Sequence, residues 1–379
     1  MNIEIKEISS KNEIKKFVKF QIEHYKGNKF FIPQIINDEL ETFDKDKNPA
    51  FLDSDAKLFV ATIGEKIVGR IVAINNKPAN KKYNTKNIRF GWFETIDNYE
   101  VAQKLLNAVR LYAESLGMET ITGPHGFCDF DPQGMLVEGF DKLGTIAGIY
   151  NYPYYNDFMT KYGFEKEIDY VEFLSTPPYK DGIPEKMIKM ADWARERYGF
   201  KLVSYNSSKE YVKRGDEIFN LIVETFDNNF GTVPLNKEQI KYYTKKYISF
   251  IHKDLIKLVT DKNDTLIGFM ITMPSMSLAY QKAKGKLFPF GIFHLLKATK
   301  TYNILDFYLA GVKNEYRGKG VDLIMVVEIV KTAMKMGFQY AESNQELENN
   351  SKVHSEWKFF NPVLHKKRRI YKLNISKKV

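Results

Sequence analysis

The residues best suited to chemistry are Arg317-Gly318-Lys319-Gly320-Val321-Asp322, where a strand-like stretch gives way to a helix. Ahead of them Leu305 to Val312 is aromatic and aliphatic with no helical spacing. From Val321 the period changes: Leu323, Val326, Val327, Val330, Ala333 and Met334 share one helical face, and Glu328, Lys331 and Lys335 the other. Gly337 closes the helix, and Phe338 to Ser343 resumes strand character. A cationic, glycine-bearing loop opening on a helix offers unpaired N–H groups and the positive end of the helix dipole. That suits an anion, above all a phosphate. Two phosphate patterns fail here. A P-loop needs a glycine at the position of Lys313 and Ser or Thr at that of Gly320. The dinucleotide fingerprint starts at Gly318-Lys319-Gly320 and finds Glu342 downstream, but Leu323 replaces its third glycine and the loop is too long for its tight turn. A solvated glycine-rich turn is the plain alternative.

The elements that position this loop recur. Ile3 to Ile8 alternates as a strand, and Lys15 to Tyr25 reads as a helix. Lys57 to Ile63 and Lys66 to Ile74 flank Gly64-Glu65 as a hairpin. A strand at Ile88 to Glu94 leads, through a cap of Asp97 with Glu100, into a helix bearing Val101, Leu105, Leu106, Val109 and Tyr112. Strand character returns at Glu119 to Thr122. A short helix over Tyr154 to Tyr162 and a strand over Glu167 to Phe173 follow. Leu174 to Gly182 has linker composition, and the domain boundary belongs there. After a helix between Pro184 and Gly199 the pattern restarts: strand at Phe200 to Tyr205, helices, a hairpin of Lys257–Thr260 with Leu266–Ile271, and then the strand–loop–helix–strand unit. Gly268 sits where Gly69 sat. A helix over residues 350–360 and a strand at Ile370 to Leu373 complete the second half. Two halves with one element order imply two copies of one fold: residues 1–175, a linker and helix over 176–199, and residues 200–379.

Composition narrows the function. The chain has 379 residues with 44% hydrophobic and 27% charged content, as a globular protein of two cores would. The net charge of +10 favours anionic ligands or an anionic membrane surface. The charges are scattered and no nucleic-acid-binding signature is present, so nucleic acid is not expected. One cysteine, Cys128, excludes an internal disulfide and a cysteine zinc site, which suits the cytoplasm. No histidine pair has metal-ligand spacing, so no metal is expected. Neither a cleaved signal nor a transmembrane run is visible.

Arg317-Gly318-Lys319-Gly320-Val321-Asp322 resembles R/Q-x-x-G-x-G/A, the pyrophosphate loop of the GNAT superfamily of acyl-coenzyme A transferases, at every position but Asp322. The element order β, α, β–β, β, α, β, α, β also resembles a GNAT domain. The resemblance implies an α/β (α+β) fold: two tandem GNAT-like domains, each a mixed, mostly antiparallel twisted sheet flanked by helices. The first copy passes from strand to helix with no glycine loop, so only the second is expected to bind a coenzyme. There Leu309, Ala310 and Val312 would bond the pantetheine through their backbone. Arg317, Gly318, Lys319, Gly320, Val321 and Asp322 would surround the pyrophosphate, with Asn349 a further contact. The implied co-substrate is acetyl-CoA or another acyl-CoA, and the implied acceptor a small-molecule or peptide amine. Glu342 is the expected base and Asn344 a positioning group; His354 and Tyr371 stand in reserve, because the following helix holds no tyrosine acid. Polar residues at a strand end are the plain alternative. Asp322 puts a negative charge beside the pyrophosphate unless it turns to cap the helix, and it motivates the alternative of a non-catalytic ligand- or partner-binding protein of the same fold.

Two other stretches carry chemistry. Leu287 to Phe293, between Lys282, Lys284, Lys286 and Lys297, Lys300, is expected to pack as an inserted helix. The competing reading is a lid over a lipophilic chain or a peripheral membrane contact of a longer-chain acyltransferase. Lys366-Lys367-Arg368-Arg369 is expected to be a solvated face, with a reach to the coenzyme's adenosine phosphate as the alternative.

Overall fold

The structure, a computed structural model, describes residues 2–176, 182–247, 252–351, 354 and 357–375. The chain divides into two compact units that are not contiguous in sequence. Unit 1 is Met1–Val171, Met276–Leu296 and His365–Val379; unit 2 is Glu172–Ser275 and Lys297–Leu364.

Unit 1 opens with β1 (Ile3–Ile8), α1 (Lys11–His24), α2 (Ile36–Thr42), β2 (Ser54–Ile63), β3 (Lys66–Asn76), α3 (Lys77–Tyr83), β4 (Asn87–Thr95), α4 (Tyr99–Ser115) and β5 (Thr120–Gly123). Then come β6 (Met135–Glu138), α5 (Tyr154–Tyr162) and β7 (Glu165–Ser175), the last divided between the units. Unit 2 holds α6 (Glu185–Tyr198), β8 (Lys201–Val203), α7 (Ser208–Lys213), α8 (Gly215–Phe226), α9 (Lys237–Tyr247), β9 (Ile256–Thr260) and β10 (Leu266–Pro274). The chain next lends α10 (Ser277–Ala283) and most of α11 (Gly291–Ala298) to unit 1. It continues in unit 2 as β11 (Ile304–Val312), α12 (Val321–Met336), β12 (Tyr340–Ser343) and β13 (Glu346–Leu347), and β14 (Pro362–Asn374) returns to unit 1 from His365.

Local sequence explains most of these elements. Ser10 and Glu13 form a reciprocal capping box, so α1 starts four residues before the periodicity shows it. Asn98, not Asp97, caps α4 by accepting the Glu100 N–H at 2.9 Å. The hairpin of β2 and β3 closes at Ile63 and Lys66 around Gly64, whose φ is +58°. Of the helix expected over 350–360, residues 352, 353, 355 and 356 lie outside the described residues; Ser351, His354 and Trp357 are α-helical, and a 3₁₀ turn spans Lys358–Phe360. Residues 177–181 of the linker likewise lie outside them.

In unit 1 the strands run β1-β2-β3-β4-β5-β14-β7; β4 and β5 are parallel, and β14 pairs antiparallel with β5 from Tyr371↔Gly123 to Asn374↔Thr120. In unit 2 the order is β12-β11-β10-β9-β8, flanked at β12 by Leu174 and Ser175 of β7. In each unit the longest helix packs over the sheet at a matched glycine. A Cβ on Gly69 would stand 2.8 Å from Leu105 Cδ1 and 3.1 Å from Val101 Cγ1 of α4. A Cβ on Gly268 would stand 2.5 Å from Val321 Cγ1 and 3.3 Å from Met325 Cε of α12. Around these contacts Val101, Leu105, Leu106 and Val109 bury against Ile71, Ala73 and Phe90 in unit 1. In unit 2 Val321, Ile324, Met325, Val327 and Val330 bury against Leu255, Val259 and Ile267. The buried side of α12 therefore includes Ile324, Met325 and Ile329, while Leu323 and Val326 are only partly covered.

Two expectations are corrected. Lys366-Lys367-Arg368-Arg369 is not a solvated face but part of β14 in unit 1. Lys366 and Arg368 are 1% exposed, Arg368 donates to Ile149 O, and Arg369 forks onto Asp169 at 2.8 and 3.0 Å. The apolar run 287–293 does not pack inward either. Gly285 and Gly291 are buried, but Phe288 and Phe290 are each 73% exposed, Phe293 65% and Leu296 56%. The small residues take the inner side and leave the large ones outside.

Because Val321 and Met325 occupy the space above Gly268, Gly268→Val should overpack unit 2 and cost about 1–3 kcal/mol. Thermal unfolding checks this; an unchanged midpoint would show that the helix has room to move.

Candidate functional site

The loop between β11 and α12 is built from one 3₁₀ turn at Asn314–Tyr316 and two left-handed glycines, Gly318 at φ +75° and Gly320 at φ +84°. Gly320 is the N-cap of α12, and a Cβ there would also stand 2.8 Å from Ala194 Cβ of α6. The loop is tied at its base. Lys313 N–H donates to Ile267 O at 2.8 Å, and Tyr316 OH to Asp261 Oδ2 at 3.0 Å. Arg317 donates from Nε to Val312 O at 3.2 Å and from Nη2 to Thr225 O at 3.3 Å. Arg317 thus clamps the loop through backbone carbonyls, while Lys319 Nζ lies 5.1 Å from the Tyr316 ring centroid. Asp322 accepts the Leu323 N–H at 2.9 Å, so its carboxylate is turned onto the first turn of its own helix. Among the described residues the N–H groups of Gly318, Gly320, Val321 and Asp322 donate to no acceptor. Successive N–H groups at a helix start form a concavity for an anion.

β11 leads to this loop with one flank open. Its parallel pairing with β12 runs from Ile304↔Tyr340 to Phe307↔Ser343 and stops. Asn344 closes the end: its N–H donates to Phe307 O at 3.0 Å, and its Nδ2 lies 3.4 Å from Tyr308 O. On the other flank β11 still pairs with β10, but Ile271 faces Leu309 and Thr272 faces Phe307, so Tyr308 is an extra residue. Such a bulge re-aims side chains beside a site. Leu309, Ala310 and Val312 consequently lie on a strand with no partner on the β12 side among the described residues.

The register sets Glu342 beside Asp306, two carboxylates on neighbouring parallel strands, each 5% exposed. Tyr308 OH lies 3.5 Å from Asp306 Oδ2. Ser343 Oγ accepts the Phe173 N–H at 2.8 Å and donates to Asn344 O at 2.9 Å, fixing the turn that follows β12. His354 lies 3.7 Å from Glu346, which accepts the Trp357 indole N–H at 2.6 Å; burial lowers the pKa of His354 below its ordinary value. Asn349 is exposed in a turn. Tyr371 belongs to unit 1, where its OH donates to Asn156 Oδ1 at 2.8 Å. Asp306 and Tyr308 were not singled out in the sequence. The available signal was an acidic residue inside an otherwise apolar strand, Leu305-Asp306-Phe307, since a buried polar group is the informative exception. Among the described residues no three His, Cys, Asp or Glu side chains gather as metal ligands would, and no helix is long and apolar enough to cross a membrane.

No family model matches the chain. Protein YghO of Escherichia coli (strain K12) is 23% identical over 372 residues, covering 97% of this chain and 94% of that protein. The bacterial ceramide synthase of Caulobacter vibrioides (strain NA1000 / CB15N) is 21% identical over 356 residues, covering 89% and 88%. Among solved structures, a tandem GNAT protein from the clavulanic acid biosynthesis pathway matches at TM-score 0.57 and 11% identity over 100% of both chains. A GCN5-related N-acetyltransferase from Sphaerobacter thermophilus matches at TM-score 0.52 and 9% identity over 100% of this chain and 97% of that one. Identities this low speak to fold alone. The chain has the fold of the GCN5-related N-acetyltransferase (GNAT) superfamily, as two tandem GNAT-like domains.

Proposed function

We propose that the protein is an acyl-CoA-dependent N-acyltransferase whose coenzyme site lies in unit 2. The observation that carries this is the set of unengaged N–H groups at Gly318, Gly320, Val321 and Asp322, next to the open flank of β11. The donor, acetyl-CoA or another acyl-CoA, would supply an activated thioester. The four N–H groups would hold its diphosphate, each charge-assisted bond contributing about 1.5–3 kcal/mol. The backbone of Leu309 to Val312 would align its pantetheine arm. Glu342 would take the proton from the acceptor amine, directly or through one water, and Asn344, bonded to Phe307 O and Tyr308 O, would be a positioning group that holds the end of β12 on β11. Asp322 does not oppose this, since its carboxylate is turned onto Leu323.

Gly320 cannot serve as the probe, because any side chain there is strained and meets Ala194. Gly318 has open space around it, and aspartate tolerates a left-handed φ. At a hundredfold excess over the dissociation constant, acyl-CoA should stabilise the protein by about 2.7 kcal/mol. Gly318→Asp should erase the resulting rise in unfolding temperature while leaving the ligand-free midpoint nearly unchanged; an equal rise in the variant places the coenzyme elsewhere. Glu342→Gln should lower kcat by roughly 10²–10⁴ with coenzyme binding retained. Loss of coenzyme binding together with rate would mark Glu342 as structural.

A second reading has its own support: transfer of a longer acyl chain at a membrane surface. Phe288, Phe290, Phe293 and Leu296 are exposed in a stretch that also carries the exposed Lys284 and Lys286, an apolar wedge with cations beside it in sequence. Such a wedge suits an anionic bilayer, each nearby lysine adding about 1 kcal/mol. The likeness to a ceramide synthase, by its name a maker of a lipid amide, points the same way. Phe288→Ser with Phe290→Ser should cut partition onto phosphatidylglycerol-containing vesicles at least tenfold without moving the unfolding midpoint. Equal sedimentation of variant and parent would remove this reading. A larger thermal shift with palmitoyl-CoA than with acetyl-CoA would favour it.

A further inference from the structure

Unit 1 holds a cavity that takes no part in the transfer proposed above. It lies among α1, α2, β4 and residues 124–151 and has a volume of about 40 Å³, roughly three times what one water needs. Its wall includes Gln21, Glu39, Trp92, Glu94, Tyr150 and Tyr155. Glu39 is 7% exposed and Glu94 2%. Glu94 accepts from Arg70 Nε and, at 3.2 Å, from Gln21 Nε2. Arg70 is wholly buried behind it, donating also to Phe17 O at 2.9 Å. The one guanidinium is thereby matched with one carboxylate. Glu39 is the second carboxylate, and the Trp92 indole N–H donates to its two oxygens at 3.0 and 3.2 Å.

The walls are set before any ligand arrives. Tyr155 OH accepts the Thr95 N–H at 2.9 Å, and Tyr150 OH donates to Phe140 O at 3.2 Å. Trp92 adopts φ +47° at a bulge in β4, where Arg70 faces Glu94 but Val72 faces Gly91. A bulky residue holds that conformation only where its surroundings over-determine it, and such strain gathers at ligand sites. Burial pushes the Glu39 carboxyl up to about 7, against the opposing pull of Arg70. The other charges facing it are Glu94 from β4 and Asp131 from the segment after β5. On α1, burial above all lowers the pKa of His24 below its ordinary value.

We propose that this cavity binds a primary ammonium on a short polar chain, with Glu39 as the anionic partner and Trp92, Tyr150 and Tyr155 as aromatic walls. Two lining carboxylates against one guanidinium leave a net negative charge once Glu39 ionises. An ammonium brings three donors to carboxylate lone pairs that the single indole N–H leaves open, and ring faces attract a cation. An anionic ligand would face both Glu39 and Glu94, and the one open donor of Arg70, its buried Nη2, belongs to a guanidinium already held by Glu94 and Phe17 O. The ligand class is that of the acceptor proposed above, but the site and the test are separate: binding is measured without acyl-CoA, so failure to bind and failure to transfer are read independently.

Ethanolamine is the probe and ethylene glycol its uncharged control, titrated at millimolar concentrations into the full chain while the Trp92 indole N–H is followed by NMR. The chain has only three tryptophans, and Trp92→Phe identifies the signal. The expected result is a saturable shift with ethanolamine alone, with affinity rising about tenfold from pH 6 to pH 8 as Glu39 loses its proton. Glu39→Gln should weaken binding at least tenfold and flatten that profile. An indole signal that ignores ethanolamine, an equal response to ethylene glycol, a flat wild-type profile, or undiminished binding by Glu39→Gln each overturns the proposal. If Glu39→Gln does not unfold cooperatively, the wild-type profile decides alone.

Discussion

In each unit the longest helix is seated by its contact with one glycine in the sheet beneath it. Gly69 lets α4 settle onto β3, and Gly268 lets α12 settle onto β10. The first two turns of each helix are the part that touches. In unit 2 that fixes Val321, and so the depth at which Gly318 to Asp322 present their N–H groups beside β11. Sheet packing and the presentation of those N–H groups are one constraint: a wider residue at 268 would lift the loop together with the helix.

The same scaffold is used differently by the two units. Unit 2 leaves backbone donors exposed at a helix start and keeps two carboxylates side by side within its sheet. In unit 1, β4 reaches α4 through three residues, Ile96 to Asn98, without a glycine loop. Its polar groups converge instead as side chains, Glu39, Glu94 and Arg70, among aromatic rings. Both retain a bulge in the strand after the hairpin, at Tyr308 and at Trp92. The bulge turns a side chain toward the site in either case, so what differs is the chemistry around it.

The repeat, the hairpins, the loop Arg317–Gly320 and its helix were legible because their causes are local. Glycine tolerates φ near +80°, caps act over three residues, and a change of period shows where strand becomes helix. The location of β14 was not legible. Lys366 to Arg369 reads as solvated, and only the distant Asp169 and Ile149 turn it into an interior strand. The run 287–293 misled for the opposite reason: hydrophobicity says nothing about which side faces in when two glycines can take the inner place. Asp306 gains meaning only from the register that sets it beside Glu342. The cavity of unit 1 draws on α1, α2, β4 and a long irregular segment, and no spacing rule joins those.

The placement of β14 bears on how the molecule is made. Unit 1 is begun first, yet β5 and β7 have between them a gap that only residues from His365 onward fill. At about 5–20 residues per second of synthesis, the interval between β5 and β14 is on the order of tens of seconds. Throughout it the nascent sheet carries open edges, the feature that most invites pairing with another chain. The half that emerges earliest from the ribosome is therefore the last to receive all of its strands.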